Sequence, residues 1–208
     1  MTPDVLRKSP AAESNSSAIL NLLKCILPPT GTILEIASGT GQHAAYFSSV
    51  LAPRFWQPSE FDSALINTIH SWRKHSNSDY FLSPIILDVC KNIWPVEKSK
   101  PNAPVTSIVN INMIHIAPWE ACLGLLSGAG RVLQKDGILY IYGPFKHGHK
   151  HNSLGNKKFD LSLKERNSEW GIRNIENVEK AALQNDLFLE KIEEMPVNNK
   201  SLIFRKLR

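Results

Sequence analysis

The chain has 208 residues, 42% of them hydrophobic, a formal net charge of +5 and three cysteines. That size suits one medium domain able to bury roughly 70% of its unfolded surface, which removes any need for disulfide or metal staples. No signal-peptide pattern follows Met1 and no apolar run is long enough to cross a bilayer, so the expectation is a cytosolic protein. Cys25, Cys90 and Cys122 are far apart and lack CxxC spacing, which predicts buried thiols in a reducing compartment and argues against a zinc or redox site. Lys and Arg are spread along the chain as for solvated surface. The densest basic stretches are Lys146 to Lys158, which also holds His147, His149 and His151, and Arg205 to Arg208.

Strand-like apolar runs alternate with helical patterns, the signature of a parallel sheet covered by helices on both faces. Ser9 is suited to cap a first helix with Pro10 at its first position; Ile19, Leu22, Leu23 and Ile26 follow at helical spacing, and Pro28 and Pro29 stop it. Thr32 to Ala37 reads as the first strand, Ser38-Gly39-Thr40-Gly41 as a turn, and a helix runs to about Leu51. A short strand over Arg54 to Gln57 leads into Pro58-Ser59-Glu60, and Leu65, Ile69 and Trp72 mark a further helix. Ile85-Ile86-Leu87 forms a strand closed by Asp88, and Val105 to Ile111 is apolar and β-branched without alternation, as in a strand buried on both faces. Pro118 opens a helix with Cys122, Leu125, Leu126, Ala129 and Leu133 on one side, and Ile138 to Tyr142 is the next strand. Gly143 to Arg173 has weak periodicity and reads as a long loop on the acceptor side of the site. A helix near Ile175 to Asn185 and an antiparallel hairpin of Phe188 to Glu194 with Ser201 to Arg205 complete the chain.

The informative stretch is Leu34-Glu35-Ile36-Ala37-Ser38-Gly39-Thr40-Gly41. Glycines between a strand and a helix admit a ligand close to the backbone, at the end of the sheet where open α/β folds bind cofactors. Gly39-x-Gly41-x-x-Ala44 also fits a dinucleotide fingerprint, and Glu60 after the second strand suits the ribose of either cofactor type. Glu35 separates the two. Its carboxylate would repel a pyrophosphate but attract the sulfonium and ammonium of S-adenosylmethionine (SAM), by about 4 kcal/mol for unit charges ~4 Å apart at an intermediate dielectric. Asp88, Asn110 and Asn112 end the following strands; each alone is an ordinary turn former, but with Glu35 and Glu60 they outline a polar crevice.

With these residues the sequence resembles the class I SAM-dependent methyltransferases over nearly its whole length: Glu35-x-Ala37-x-Gly39-x-Gly41 is similar to their first motif, with Ala37 in place of its first glycine. A more specific resemblance, to the methyltransferase-like twenty-six family, is carried by several segments. They are Ser9-Pro10-Ala11-Ala12-Glu13, Gly39-Thr40-Gly41-Gln42-His43, Trp56-Gln57-Pro58-Ser59, Asn112-Met113-Ile114-His115, Tyr142-Gly143-Pro144-Phe145, Trp170-Gly171-Ile172-Arg173 and Asn198-Asn199. Ser14 and Asn174 depart from that family's pattern, where Arg and Asp are usual. The resemblance implies a single Rossmann-like α/β domain, three-layered and doubly wound, with a mainly parallel seven-stranded sheet whose last strand is antiparallel. It implies that residues 1–30 cover the cofactor site, that Glu60 holds the ribose, and that Asp88, with Val89 beside it, holds the adenine end.

Methyl transfer is an in-line displacement for which positioning supplies about 7–11 kcal/mol of barrier reduction, so the lack of a catalytic triad does not argue against an enzyme. Where an acceptor must lose a proton, His115 and Tyr142 are the candidates, each with a structural role as the competing reading. His147-x-His149-x-His151 would share a side in an extended segment and so suggest a metal site, although a solvated loop is the preferred reading. His43 is expected to make a helix-start contact. A small-molecule acceptor is expected, and nucleic acid is disfavoured because Asn110-Ile111-Asn112-Met113 lacks the paired prolines and aromatic ring that stack a flipped base. The alternatives are a nicotinamide-dependent oxidoreductase and a catalytically inactive cofactor-binding module.

Overall fold

The computed structural model describes residues 6–99, 101 and 103–208; of the segment expected to cover the cofactor site, residues 1–5 lie outside the described residues. Seven strands hydrogen-bond in the order β3-β2-β1-β4-β5-β10-β9, where β1 is Thr32–Ile36, β2 Phe55–Glu60, β3 Ile85–Ile86, β4 Val105–Ile111, β5 Ile138–Gly143, β9 Leu187–Met195 and β10 Asn199–Lys206. β1 pairs parallel with β2 and β2 with β3, whereas β10 runs antiparallel to both β5 and β9. This is the α/β architecture expected from the sequence. The chain forms two compact units, residues 6–88 with 94–109 and residues 89–93 with 110–208.

The first unit holds α1 (Pro10–Ile26), α2 (Gln42–Val50), α3 (Ser63–Ser76) and the short α4 (Pro95–Lys98) around β1, β2 and β3. The Ser9 hydroxyl accepts from the Ala12 N–H and Pro10 occupies the first turn, as the sequence predicts. At the other end, the Arg54 guanidinium donates to the carbonyls of Leu27 and Pro28, so an arginine satisfies the groups that follow the helix end. Every residue of β1 is buried, including Thr32 and Glu35 among its apolar side chains, as in a strand covered on both faces. β2 extends through Pro58 to Glu60, beyond the expected strand: the Ser59 hydroxyl donates to the Glu35 carbonyl at 2.7 Å and the Gln57 amide to the Ser83 carbonyl, so side chains supply donors around the proline that lacks one. α3 is capped by Asp62, which accepts from Ala64 N–H, and ends at Asn77 in the left-handed region (φ 49°).

The second unit holds α5 (Trp119–Val132), α6 (Leu154–Arg166) and α7 (Ile175–Leu183), with a three-stranded sheet of β6 (Phe145–His147), β7 (Lys150–His151) and β8 (Arg173–Asn174) in the order β7-β6-β8. Cys122, Leu125, Leu126 and Ala129 of α5 are buried along one stripe. The stretch 143–173 is therefore not a long loop. It contains the 13-residue helix α6, capped by the Ser153 hydroxyl, whose buried positions are Asn156, Asp160 and Leu163, while Leu154, Phe159 and Leu161 are exposed. Its inward stripe has helical spacing but is mostly polar, so a search for apolar periodicity passes over it.

Gly148 and His149 both have positive φ (55° and 62°) between β6 and β7, the backbone of a tight two-residue hairpin turn. This fold-back is the reason the histidine triplet is not one extended run. His147 faces Glu176 at 3.5 Å, the His149 ring contacts the Asn174 amide at 3.1 Å, and His151 faces Asp160 at 3.3 Å. Among the described residues no three His, Cys, Asp or Glu side chains are grouped to hold a metal. The thiols also differ from expectation: Cys122 is buried and its pKa is pushed up to about 12 by burial, but Cys25 and Cys90 are exposed because they lie on outward-facing positions of α1 and of the turn after β3. Among the described residues no helix is long and apolar enough to cross a membrane.

Candidate cofactor and acceptor sites

β1 ends where the backbone turns into the left-handed region at Ala37 (φ 59°), Gly39 (φ 57°) and Gly41 (φ 88°). The two glycines have different reasons. A Cβ on Gly41 would lie 2.9 Å from Ile69 Cα of α3, so that glycine is required for close packing, whereas a Cβ on Gly39 meets nothing within 4 Å. Gly39 keeps open the space in front of the turn. Ala37 carries a side chain in a conformation that costs an L-residue about 1–2 kcal/mol. Ala37→Gly is expected to stabilise the protein by about 0.5–1 kcal/mol after the larger chain entropy of glycine is subtracted; urea denaturation measures this, and a loss of stability would show that Ala37 is not strained.

Glu35 and Glu60 both bond to this turn, through Ser38 and Gly39. The Glu35 carboxylate is 2% exposed and accepts from the Trp56 indole N–H at 3.0 Å, with the Trp56 ring edge-on to Phe47. Burial raises its pKa to about 7; the hydrogen bonds from Trp56 and Ser38 oppose the shift and the charge of Glu60 adds to it. An acid with this pKa is half-ionised at neutral pH and responds to any cation placed beside it. Glu60 Oε2 accepts from the Gly39 N–H at 2.7 Å and Oε1 from Phe61 N–H at 2.8 Å. A carboxylate has about four acceptor positions, so these bonds fix Glu60 against the turn and leave capacity for ligand hydroxyls. The Leu87 N–H donates to the Glu60 carbonyl, which places half-buried Asp88 at the strand end next to β2.

The first half of α1 is fastened to the start of α2. Ser9 N–H donates to Gln42 Oε1 at 2.7 Å, and buried Asn15 contacts His43 Nε2 at 2.8 Å through its Oδ1. His43 stacks on Phe47 and burial pushes its pKa down to about 4, so it is neutral and makes the expected helix-start contact.

In the second unit, Val89 is half-buried, and its carbonyl is only 2.5 Å from where a Cβ on Gly124 of α5 would lie. Asn110 near the end of β4 is fully buried. Asn112 N–H donates to the Tyr142 carbonyl, aligning the end of β4 with the end of β5. His115, in the 3-10 turn Met113–His115, is 1% exposed. Burial, and next the charge of Arg173, lower its pKa to about 3. Its Nδ1 accepts from Arg173 N–H at 3.4 Å, which assigns the proton to Nε2, a buried atom without a partner among the described residues. In this state His115 is a hydrogen-bond donor and a weak base. The Tyr142 hydroxyl accepts from Asn199 Nδ2 at 2.9 Å, and the Asn198 carbonyl accepts from Asn156 of α6.

Segments that carry the resemblance, though distant in sequence, thus meet in this unit. Arg173 donates to the carbonyls of Ile114 and Ala117, Gly171 N–H to the His115 carbonyl, and Phe145 packs edge-on against the His115 ring at 4.9 Å. Sequence reasoning missed Asp160, which accepts from the Ile172 N–H at 2.7 Å and faces Lys146, His151 and Lys164. The signal that would have found it is the i, i+4 polar stripe Asn156, Asp160, Lys164.

The family model described as "Protein of unknown function (DUF938)" matches residues 6–206. The chain belongs to the DUF938 family. Its fold is shared with solved class I methyltransferases at low sequence identity. Human N-acetylserotonin methyltransferase, solved with SAM, superposes with a TM-score of 0.75 at 12% identity over 95% of this chain and 53% of that one. An O-methyltransferase family 2 protein from Planctomyces limnophilus, solved with apigenin, gives 0.71 at 14% over 92% and 62%. The PH0226 protein of Pyrococcus horikoshii gives 0.72 at 14% over 96% and 92%. This DUF938 member thus spans about half the length of the first, about three fifths of the second and nearly all of the third.

Proposed function

We propose that this DUF938 protein is a SAM-dependent methyltransferase acting on a small molecule. The observation that carries the proposal is a nearly neutral-pKa carboxylate, Glu35, buried beneath a glycine turn whose Gly39 faces open space. A buried carboxylate that is costly to ionise gains most from a ligand with positive charge, and SAM supplies both a sulfonium and an ammonium without any phosphate.

In this reading Glu35, Ala37, Gly39 and Gly41 form the floor of the cofactor site, Glu60 takes the ribose hydroxyls with its remaining acceptor positions, and Asp88 takes the adenine end. Residues 6–30, through α1, cover the site, which the attachment of Ser9 and Asn15 to Gln42 and His43 supports. When bound, SAM supplies a methyl group already activated for displacement. The chain's own residues orient the acceptor and hold it free of water. His115 donates from Nε2 and Tyr142 lines the acceptor side at the end of β5. The neighbours solved with SAM and with apigenin, and the resemblance to the methyltransferase-like twenty-six family, agree with this reading.

A thermal-shift comparison tests it. S-adenosylhomocysteine is expected to raise the melting temperature and NAD to leave it unchanged, and labelled methyl is expected to enter a metabolite extract. Stabilisation by NAD alone would turn the assignment to an oxidoreductase, and cofactor binding without any transfer would indicate an inactive module.

A further inference from the structure

Resting on the methyltransferase reading, we propose that Lys146 and His151, set beside Asp160 and Lys164, form a seat for an anionic group, carboxylate or phosphate, of the methyl acceptor. Lys146 lies three residues beyond Gly143, the last residue of β5, and so at the carboxyl end of a sheet strand, where open α/β folds take their ligands. His151 lies opposite it across the β6–β7 pair.

The charges in this cluster do not balance. Two ammonium groups, Lys146 and Lys164, share one carboxylate. Lys164 Nζ has the hydrogen bond to Asp160 Oδ2, at 3.1 Å, and Lys146 Nζ stays at 3.7 Å, beyond hydrogen-bond reach. Asp160 Oδ1 is already engaged by Ile172 N–H at 2.7 Å. Lys146 therefore has three N–H donors without a hydrogen-bonded acceptor among the described residues, although its side chain is only 22% exposed. His151 Nδ1 is a buried atom with no partner among the described residues, and it donates to an anion when the ring carries both protons, its Nε2–H facing Asp160. Burial by itself would raise the Asp160 pKa, yet Ile172 N–H and the two lysines hold it below the usual carboxylate range, so Asp160 remains one negative charge facing two positive ones. A half-buried ammonium with unfilled donors is stabilised by an incoming anion far more than by water. The neutral His115 ring is within electrostatic reach of Lys146, Asp160 and Arg173, which ties this seat to the acceptor-side residues.

The test uses the full chain with benzoate, phenyl phosphate and benzamide as ring-matched probes, each titrated with S-adenosylhomocysteine present and followed by nuclear magnetic resonance of the histidine rings. At least one anion is expected to bind and to shift the His151 signals, with benzamide inert; benzoate alone would specify a carboxylate and phenyl phosphate alone a phosphate. Lys146→Met is expected to weaken the bound anion roughly tenfold, and Lys146→Arg to restore it, as for loss and recovery of a charge-assisted hydrogen bond. Equal binding of benzamide, or anion binding unchanged in a folded Lys146→Met protein, overturns the proposal. The S-adenosylhomocysteine response, measured in the same samples, reports separately on the cofactor. A protein that binds it but neither anion loses the anion seat alone, whereas one that fails to bind it loses the methyltransferase reading and the acceptor role with it.

Discussion

Glu35→Gln is expected to gain about 2–3 kcal/mol of stability relative to the parent protein between pH 5 and pH 8, while its affinity for SAM falls. The sign follows from the direction of the shift. Burial raises the folded-state pKa of Glu35 from 4.5 to about 7, so the folded protein holds the proton more tightly than the unfolded chain does. The stability this provides is complete below pH 4.5 and is lost as pH rises through 7. Glutamine has nothing to ionise and still offers an oxygen to the Trp56 N–H, so the variant escapes that loss; any cost of its buried amide is independent of pH. Denaturant titrations of both proteins at pH 5 and pH 8 measure the difference. A constant gap would mean that Glu35 is not perturbed by burial. SAM binding moves the other way because the carboxylate is the group whose charge complements the sulfonium, and a residue that weakens the empty protein yet strengthens the complex is the pattern expected of a functional position.

The second large effect separates the two glycines of the turn. In Gly41→Ala the new Cβ must adopt φ 88° and lies 2.9 Å from the Ile69 backbone, so strain of about 1–2 kcal/mol and overpacking of about 1–3 kcal/mol fall together on folding stability. In Gly39→Ala the Cβ meets nothing within 4 Å of the protein, so stability falls only by the backbone strain less the chain entropy that alanine saves, about 0.5–1 kcal/mol net. That same methyl group projects into the space assigned to the cofactor. Gly39→Ala is therefore expected to remain folded and lose S-adenosylhomocysteine binding at least tenfold, whereas Gly41→Ala loses several kcal/mol of stability. Melting temperatures with and without S-adenosylhomocysteine decide between the two outcomes. A Gly39→Ala protein that binds as well as the parent would remove the ligand from this turn.

The parts of the fold that were legible in the sequence share one property: their physical signal is local. β1 and β4 are mainly apolar runs without a regular polar alternation, Ser9 and Pro10 announce the start of α1, and the short Pro196–Lys200 link permits only a hairpin between β9 and β10. The glycine turn was legible for the same reason, since positive φ and close approach restrict the residues that can occupy it. What escaped depends on contacts made across the chain. α6 packs a polar stripe inward, and Asp160 acquires its meaning only when the β6–β7 turn returns His151 to it and β8 brings the Ile172 N–H. The reversal at Gly148-His149 lacks the usual Asn-Gly or Asp-Gly pair, so the sequence around His147, His149 and His151 reads as solvated loop and gives no sign of a hairpin. Pro58 likewise suggested an early end to β2 because the donors that replace its missing N–H come from the side chains of Gln57 and Ser59.

The most direct measurement of the central claim is the number of protons released when SAM binds at pH 7, obtained by calorimetry in buffers of different ionisation enthalpy. Glu35 is about half protonated at that pH, and a cation beside it drives the proton off, so about half a proton per SAM is expected from the parent protein and none of that component from Glu35→Gln. Tight SAM binding with identical proton release in the two proteins would contradict the account, as would a phosphate-bearing nucleotide that competes with SAM at the Gly39 turn.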